Sequence, residues 1–231
     1  MTALAIFVKS AALSPVKTRL AASLGACRAV AFHRLAARAC GAVAVACAPE
    51  PSALWAVAEP EGLRQAEWQG LPRLWQGEGG LGERLHSVYA ALQARHGQVL
   101  LIGSDAPQIT SALLRQAAHM LSAGPDPFVM GRALDGGFWL FGGRVPVPAA
   151  AWASVPYSRP DTAERLAGAL SALGGIGALP CLRDVDEAAD LPALAAALDA
   201  LPDPLPEQAA LRHWIAALPG PAGGGRQREF A

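Results

Sequence analysis

The sequence predicts a single α/β domain, built on a mixed and mostly parallel sheet with helices on both faces. Short apolar runs of strand length alternate with longer segments of helical periodicity, which is typical of strands joined by helices. Apolar residues make up 52 % of the 231-residue chain, enough for one substantial core. The turn Leu134-Asp135-Gly136-Gly137 separates two apolar runs and predicts a hairpin, so the sheet is expected to be mixed.

The first predicted elements are a buried strand over Ala3–Val8 and a helix that begins at Pro15. Ser14 is expected to cap this helix, because Ser is favoured at the N-cap and Pro at the first helical position. A second helix over Cys27–Cys40 is then expected to lead into a strand near Ala42–Cys47.

The middle and end of the chain continue the alternation. Val99–Ile102 holds four consecutive large apolar residues, typical of a strand buried on both faces, and Thr110 is well placed to cap the helix that follows. The other elements expected are strands at Leu54–Ala58, Leu71–Trp75, Phe128–Met130, Phe138–Phe141 and Ile176–Leu182, and helices at Leu81–His96, Thr162–Leu173, Leu191–Leu201 and Pro206–Leu218. The domain is expected to span residues 1–218, and the glycine-containing segment 219–231 is expected to be a disordered tail.

The composition argues against several classes of partner. The formal net charge of zero gives no support to binding of nucleic acid or a membrane surface. The N-terminal apolar run is too short for a signal sequence, and the apolar region Ala26–Ala48 is interrupted by basic residues, so no membrane span is expected. Four cysteines without metal or disulfide spacing are expected to be reduced thiols, which places the protein in the cytoplasm. The sequence does not indicate an oligomeric state.

The basic residues are unevenly distributed. No acidic residue precedes Glu50, and the chain's two lysines, Lys9 and Lys17, both lie in one N-terminal stretch. If a helix begins at Pro15, Lys17 and Arg19 oppose its dipole, at about 0.3–1 kcal/mol each. A phosphate bound at the free N–H groups would reverse this penalty. We therefore interpret Lys17 and Arg19 as a phosphate site, with a solvated basic helix end as the alternative.

Carboxylates follow two of the predicted strands. Asp105 comes after Val99–Ile102, and Asp184 and Asp186 come after Ile176–Leu182. Ligands of open α/β sheets collect at the carboxyl ends of the strands. Either Asp184 or Asp186 could therefore join Asp105 in holding a hard cation such as magnesium. Capping of the next helix is an equally good interpretation for Asp184 and Asp186.

The segment Gln76–Arg84 carries four glycines ahead of a helix. Such a run lets the backbone approach a flat ligand such as a nucleobase or ribose, although a flexible loop explains it equally well. The five histidines are scattered and no Gly-x-Ser-x-Gly motif is present, so nothing supports a triad hydrolase.

Taken in order, these motifs resemble the selenodomain-associated transferase family, a bacterial group of glycosyltransferase-like proteins with the nucleotide-diphospho-sugar transferase (GT-A) fold. The motifs that carry the resemblance are Ile6-Phe7-Val8-Lys9-Ser10, Val16-Lys17-Thr18-Arg19-Leu20, Gln76-Gly77, Leu81-Gly82-Glu83-Arg84, Gly103-Ser104-Asp105-Ala106-Pro107, Asp135-Gly136-Gly137 and Asp184-Val185-Asp186. They cover the chain to about Leu191. Similar architecture occurs in phospholactate guanylyltransferase and in the molybdenum-cofactor guanylyltransferase, which transfer a nucleotidyl group.

The resemblance implies a metal-dependent transferase that moves a sugar from a nucleoside-diphosphate sugar to a small acceptor. It implies that Lys9, Lys17 and Arg19 hold the nucleotide phosphates, and that the base and ribose lie against Gln76, Gly79, Gly82 and Arg84. It further implies that Asp105 and Asp186 hold Mg²⁺ or Mn²⁺. Asp135 would face the transferred group or the acceptor and would be catalytic together with Asp105.

Two alternative functions remain open. A nucleotidyltransferase that uses a nucleoside triphosphate and releases pyrophosphate is supported by the single aspartate of Gly103-Ser104-Asp105, where sugar transferases carry an Asp-x-Asp pair. A non-catalytic nucleotide-binding relative is supported by Gly80, which stands where the family has an aspartate, and by the altered ending after Asp186. The loop after Lys9 also departs from the family, with Ala12 and Ser14 in place of the usual Pro and Gly.

Overall fold

The computed structural model describes residues 1–219, and within them it contains one seven-stranded sheet and eight α-helices. The strands are β1 (Thr2–Val8), β2 (Ser52–Val57), β3 (Arg73–Trp75), β4 (Gln98–Ile102), β5 (Phe128–Ala133), β6 (Phe138–Gly143) and β7 (Ile176–Leu182). The α-helices are α1 (Thr18–Leu24), α2 (Ala26–Val45), α3 (Leu81–His96), α4 (Ser111–Ala123), α5 (Ala149–Ala153), α6 (Thr162–Leu170), α7 (Leu191–Asp199) and α8 (Pro206–Ala216). Short 3₁₀ segments lie at Pro60–Arg64, Ala66–Trp68 and Ala188–Asp190. The predicted fold class is confirmed.

The sheet has the strand order β3-β2-β1-β4-β6-β5-β7. Strand β6 runs antiparallel to β4 and β5, and the other neighbouring pairs are parallel. The predicted hairpin is therefore confirmed as β5–β6, with its turn at Leu134–Gly137. Because the six other strands share one direction, the loops after β1, β4, β5 and β7 all leave from the same edge of the sheet.

Alternating residues of the central strands pack against helices on the two faces. On one face, Leu4 and Ile6 of β1 lie in a cluster with residues of α2 and α4. On the other face, Ala3 and Ala5 lie in a cluster with residues of α3, α5 and α6. This alternation follows from the two-residue period of a strand, and it explains why the strands read as continuous apolar runs.

A third apolar cluster joins α1, α2, α7 and α8 beside the sheet. Its members include Leu20, Phe32 and Leu211, together with Val185 from the loop after β7. Val185 has no exposed surface, although the residues on either side of it are aspartates. Burial of this one side chain fixes the loop that carries Asp184 and Asp186.

Two of the predicted elements are wrong. The segment near Ala42–Cys47 is not a strand, because α2 continues to Val45. Gly41 lies inside the helix, where an added Cβ would come within 2.6 Å of the Trp55 ring. Helix α1 begins at Thr18 and not at Pro15, and its N-cap is Lys17 in the left-handed conformation rather than Ser14.

The predicted N-cap Thr110 is confirmed, since its hydroxyl accepts a hydrogen bond from the Leu113 backbone N–H at 3.2 Å. The predicted disordered tail lies almost entirely outside the described residues, which end at Pro219. Within residues 1–219, no helix has the length and apolar character needed to cross a membrane.

Candidate functional site

A cleft of about 790 Å³ lies at the edge of the sheet where the parallel strands end. Its walls come from the loops after β1, β4 and β7, from the β5–β6 turn, and from the segment ahead of α6. Of the candidate site residues named from the sequence, eight line this cleft: Lys9, Lys17, Arg19, Gln76, Asp105, Asp135, Asp184 and Asp186.

The loop after β1 is held from beneath by a buried polar network. The Ser10 backbone N–H donates to Glu59 Oε2 at 2.9 Å, and the Ser10 hydroxyl accepts from Trp68 Nε1 at 2.9 Å. His33 Nε2 lies 2.8 Å from the Lys9 carbonyl oxygen. These contacts fix the backbone at the cleft wall and leave the Lys9 side chain exposed. The sequence does not reveal these hydrogen bonds, because their partners are far apart in the chain.

Lys17 places a buried ammonium between two carboxylates. Its Nζ lies 3.0 Å from Asp105 Oδ1 and 3.4 Å from Asp186 Oδ1, and it also donates to the Val185 carbonyl oxygen. The Lys17 side chain is 6 % exposed, against 45 % for Asp105 and 42 % for Asp186. Burial lowers the pKa of Lys17, but the carboxylates of Asp105 and Asp186 outweigh it, so the net pKa is raised and the group stays charged.

Arg19 and Lys9 are the more accessible cations of this wall. Arg19 Nη1 lies 3.4 Å from Asp186 Oδ2, and its side chain is mostly exposed. Lys9 is exposed as well. The three basic side chains therefore converge on the cleft, with Lys17 committed to carboxylates and the other two available to an anion.

Three carboxylates lie close together in the same cleft. Asp135, Asp184 and Asp186 each offer an oxygen within 4.8 Å of the others. Burial, and next the charge of Asp135, raise the pKa of Asp184 to about 6. Such crowding of like charges is relieved by a divalent cation, and carboxylate oxygens are the donors that Mg²⁺ and Mn²⁺ accept. The structure thus groups Asp186 with Asp135 and Asp184, whereas Asp105, its predicted partner, faces Lys17.

The loops that carry the carboxylates are tied to one another. The Val185 backbone N–H donates to the Asp105 carbonyl at 2.9 Å, and the Gln108 side chain donates to the Arg183 carbonyl. From α8, Gln208 Nε2 donates to the carbonyl oxygens of Pro107 and Ile109, both at 2.9 Å. Gln108 and Gln208 were not predicted to matter, and nothing in the sequence distinguishes them from surface glutamines.

Only part of the glycine-rich segment Gln76–Arg84 lines the cleft. Gln76 lines the cleft while its buried amide group donates to the carbonyl oxygens of Ala56 and Val8, at 2.8 and 3.2 Å. In the described part of the chain, Gly79, Gly82 and Arg84 do not line the cleft. Arg84 Nε instead donates to the Gly79 carbonyl at 2.9 Å, so this stretch is an ordered loop folded back on α3.

The segment Pro156–Asp161, here called the cleft strap, closes the opposite side of the cleft. Buried Thr162 holds it, because the Thr162 hydroxyl accepts from the Arg159 N–H at 3.1 Å and donates to the Arg159 carbonyl at 2.8 Å. At the β5–β6 turn, the Gly136 carbonyl accepts from the Ala163 N–H at 2.9 Å. The sequence analysis did not identify this segment, which carries no recognised motif.

Comparison with protein families gives one match. The family described as "Uncharacterized protein conserved in bacteria (DUF2064)" matches residues 31–159. No curated protein matches the chain.

Solved structures share the fold at low sequence identity. A protein from Desulfovibrio desulfuricans G20, provisionally assigned as a nucleotide-diphospho-sugar transferase, superposes with a TM-score of 0.81 at 23 % identity, over 94 % of this chain and 96 % of that chain. CMP:2-keto-3-deoxy-manno-octonic acid synthetase in complex with CTP gives a TM-score of 0.56 at 13 % identity, over 86 % and 98 %. Rv0371c from Mycobacterium tuberculosis H37Rv in complex with manganese gives 0.51 at 15 %, over 87 % and 98 %. These likenesses establish the fold.

Proposed function

The chain belongs to the DUF2064 family of proteins conserved in bacteria, and from that premise we propose that it is a metal-dependent transferase acting on a nucleotide substrate. In this proposal it transfers a sugar from a nucleoside-diphosphate sugar to a small acceptor. The fold it shares with the Desulfovibrio protein, which is provisionally assigned as a nucleotide-diphospho-sugar transferase, supports this choice.

The observation that carries the proposal is the meeting of cations and carboxylates in one cleft. Lys9 and Lys17 enter from the loop after β1 and Arg19 from the first turn of α1, while Asp105 and Asp186 enter from the loops after β4 and β7. A nucleoside diphosphate needs cations against its phosphate oxygens and a metal ion to offset the rest of its charge. Basic side chains beside a carboxylate group meet both needs at the edge where α/β sheets bind ligands.

The carboxylates present fit a divalent ion. We propose that Asp186 holds Mg²⁺ or Mn²⁺ together with Asp184 and Asp135, because oxygens of these three carboxylates lie within 4.8 Å of one another. Asp105 lies outside this group and is the carboxylate nearer to Lys17, at 3.0 Å against 3.4 Å for Asp186. Asp105 would join the ligand set if phosphates drew Lys17 away from it. The bound metal would stabilise negative charge on the leaving diphosphate. The manganese complex of the Mycobacterium tuberculosis neighbour supports a metal of this kind.

The remaining predicted roles belong to the same proposal. Lys9 and Arg19 bind phosphate oxygens, since both are accessible at the cleft wall. Gln76 borders the base, while Gly79, Gly82 and Arg84 support that border as parts of the ordered loop. Asp135 faces the transferred group from the β5–β6 turn.

A screen for ligand-dependent stabilisation tests the proposal. Nucleoside diphosphates, triphosphates and nucleotide sugars are each added with and without Mg²⁺, and the thermal unfolding midpoint is measured. We expect at least one nucleotide sugar to raise the midpoint, and to raise it more with Mg²⁺, because metal and phosphate stabilise each other's binding. No stabilisation by any member of the set would contradict a nucleotide site.

The Lys17→Ala variant tests the phosphate assignment. Loss of one charged hydrogen-bond donor is expected to weaken nucleotide binding by about tenfold or more, measured by calorimetry. The same change leaves Asp105 and Asp186 without their ammonium, so Mg²⁺ alone is expected to bind more tightly than in the wild type. Arg38→Ala, at an exposed position of α2, is the control and is expected to alter neither affinity. Unchanged nucleotide affinity in Lys17→Ala would remove this lysine from the site.

Nucleotidyl transfer is the second candidate. The loop after β4 carries the single Asp105, and the chain shares its fold with a synthetase solved with CTP. This candidate expects a nucleoside triphosphate to stabilise best, with release of pyrophosphate when acceptor is present. Sugar transfer expects release of a nucleoside diphosphate instead. Binding without release of either product would favour a non-catalytic nucleotide-binding protein.

A further inference from the structure

We propose that the cleft strap forms the acceptor subsite and that Arg159 binds an oxyanion group, a carboxylate or a phosphate, on the acceptor. This inference rests on the proposed transfer function and deepens it, because it gives the unknown acceptor a chemical class. Tyr157, Ser158 and Arg159 are consecutive residues of the strap, and all three line the cleft.

The position of the strap separates it from the nucleotide wall. Lys9 and Gln76 follow β1 and β3, on one side of the sheet order, whereas the strap packs through Pro160 against Gly136 of the β5–β6 turn on the other side. Asp105, which follows β4, lies between the two. A donor held at β1 and an acceptor held at the strap would therefore meet over the carboxylates.

Arg159 is weakly engaged within the protein. Its Nε lies 3.7 Å from Asp161 Oδ1, too far for a hydrogen bond, and its side chain is mostly exposed. Asp161 has a closer partner in Arg165, whose Nε donates to Asp161 Oδ2 at 2.6 Å, and this bond holds the pKa of Asp161 below its ordinary value. The planar guanidinium of Arg159 is thus available for the two-pronged contact that carboxylates and phosphates make.

The backbone of the strap is built to present these groups. Ser158 adopts a left-handed conformation, with φ of 60°, which a non-glycine residue holds only where its surroundings enforce it. Two residues provide those surroundings. Thr162 holds the Arg159 carbonyl by a hydrogen bond, and Gly136 lies so close to the strap that a Cβ added to it would be 1.7 Å from the Pro160 carbonyl oxygen. The Tyr157 hydroxyl is covered and has no hydrogen-bond partner among the described residues.

Titration with two simple anions tests the subsite. Inorganic phosphate and acetate are titrated separately into the ¹⁵N-labelled protein, and the backbone amide resonances of Ser158 and Arg159 are followed. We expect saturable shifts with at least one probe. Phosphate alone would indicate a phosphorylated acceptor, and acetate an acceptor with a carboxylate. Shifts with neither probe, or shifts that rise linearly without saturation, would overturn the proposal.

Variants assign the effect to Arg159. Arg159→Gln is expected to lower the affinity for the anion by about tenfold or more, because a charge-assisted hydrogen bond is lost. Arg132→Gln, an exposed arginine of β5 outside the cleft lining of the described residues, is expected to match the wild type. Equal anion affinity in Arg159→Gln and the wild type would also overturn the proposal.

The same variant separates this subsite from the proposed function. Nucleotide affinity, measured by calorimetry, is expected to be the same in Arg159→Gln and the wild type. If no nucleotide binds either protein, the proposed function fails, whatever the strap resonances show. If nucleotide binds both and the strap does not respond, only the acceptor subsite fails.

Discussion

At the scale of single residues, Lys17 shows how much the site depends on partners that are remote in sequence. Its backbone adopts a left-handed conformation, with φ of 47° and ψ of 49°, and its side chain reaches two carboxylates and one carbonyl. The scarcity of lysine in the chain singles out this position. The sequence could not show that the ammonium is buried against Asp105 and Asp186, because those residues join it only in the folded chain.

Asp184 gives a prediction at this scale. Its pKa in the folded protein is about 6, above the ordinary 3.8, so the folded state holds the proton more tightly than the unfolded state. Stability from this group is therefore complete below about pH 4 and is lost as the pH rises through 6. We expect Asp184→Asn to be more stable than the wild type at pH 7.5, by about 1 kcal/mol once solvent screening of this half-buried group is included, and nearly equal at pH 4.

Urea unfolding at the two pH values measures this difference. Asp203→Asn, in an exposed loop, is the control and is expected to follow the wild type. Mg²⁺ at pH 7.5 is expected to stabilise the wild type more than Asp184→Asn. A variant that loses stability at pH 7.5 would show that Asp184 is held by favourable contacts rather than by crowding.

At the scale of elements, sequence periodicity predicted most strands and helices. It failed where contacts between distant parts of the chain determine the local conformation. The strand expected near Ala42–Cys47 is the end of α2, because alanine favours helix and Gly41 leaves room for the Trp55 ring. Helix α1 begins at Thr18, later than the predicted Pro15, because Lys17 leaves the helical conformation to reach its carboxylates. The cleft strap went unpredicted for a related reason, since its hydrogen bonds to Thr162 and its packing against Gly136 leave no sequence pattern.

The strap gives a prediction at this scale. Gly136 has φ of 90°, and an added Cβ would lie 1.7 Å from the Pro160 carbonyl oxygen. Gly136→Ala is therefore expected to displace the strap and to lower the free energy of unfolding by about 2–4 kcal/mol, measured in urea.

Gly25→Ala is the matched control for this change. Gly25 has nearly the same φ, 85°, but nothing lies within 4 Å of the added Cβ, so only the conformational cost of about 1–3 kcal/mol remains. Equal losses in the two variants would mean that Pro160 moves aside easily and that the strap is not tightly fixed.

At the scale of the whole molecule, α8 supports the cleft from a distance through Gln208. Its buried amide group donates to the carbonyl oxygens of Pro107 and Ile109, which follow Asp105 in the same loop between β4 and α4. Gln208→Leu leaves both oxygens without a donor, so we expect a loss of about 2 kcal/mol or more and a fall of about 4–8 °C in the unfolding midpoint. Glu207→Gln, one residue away on the same helix, is expected to change the midpoint little.

Ligand binding extends this prediction. Because the Asp105 loop loosens, stabilisation by Mg²⁺ and nucleotide is expected to be smaller in Gln208→Leu than in the wild type, even where both are fully folded. Full stabilisation by ligand in Gln208→Leu would show that α8 contributes stability alone and does not position the loop.

The contact between Lys17 and Asp186 joins residues that are 169 positions apart. During synthesis, the ammonium leaves the ribosome long before its second carboxylate exists, and closing so long a loop is slow compared with forming a local helix. A nascent chain therefore cannot assemble the cleft until β7 and the segment after it have emerged. Binding competence should appear abruptly near the end of translation, and chains released before residue 186 should be inert towards metal and nucleotide.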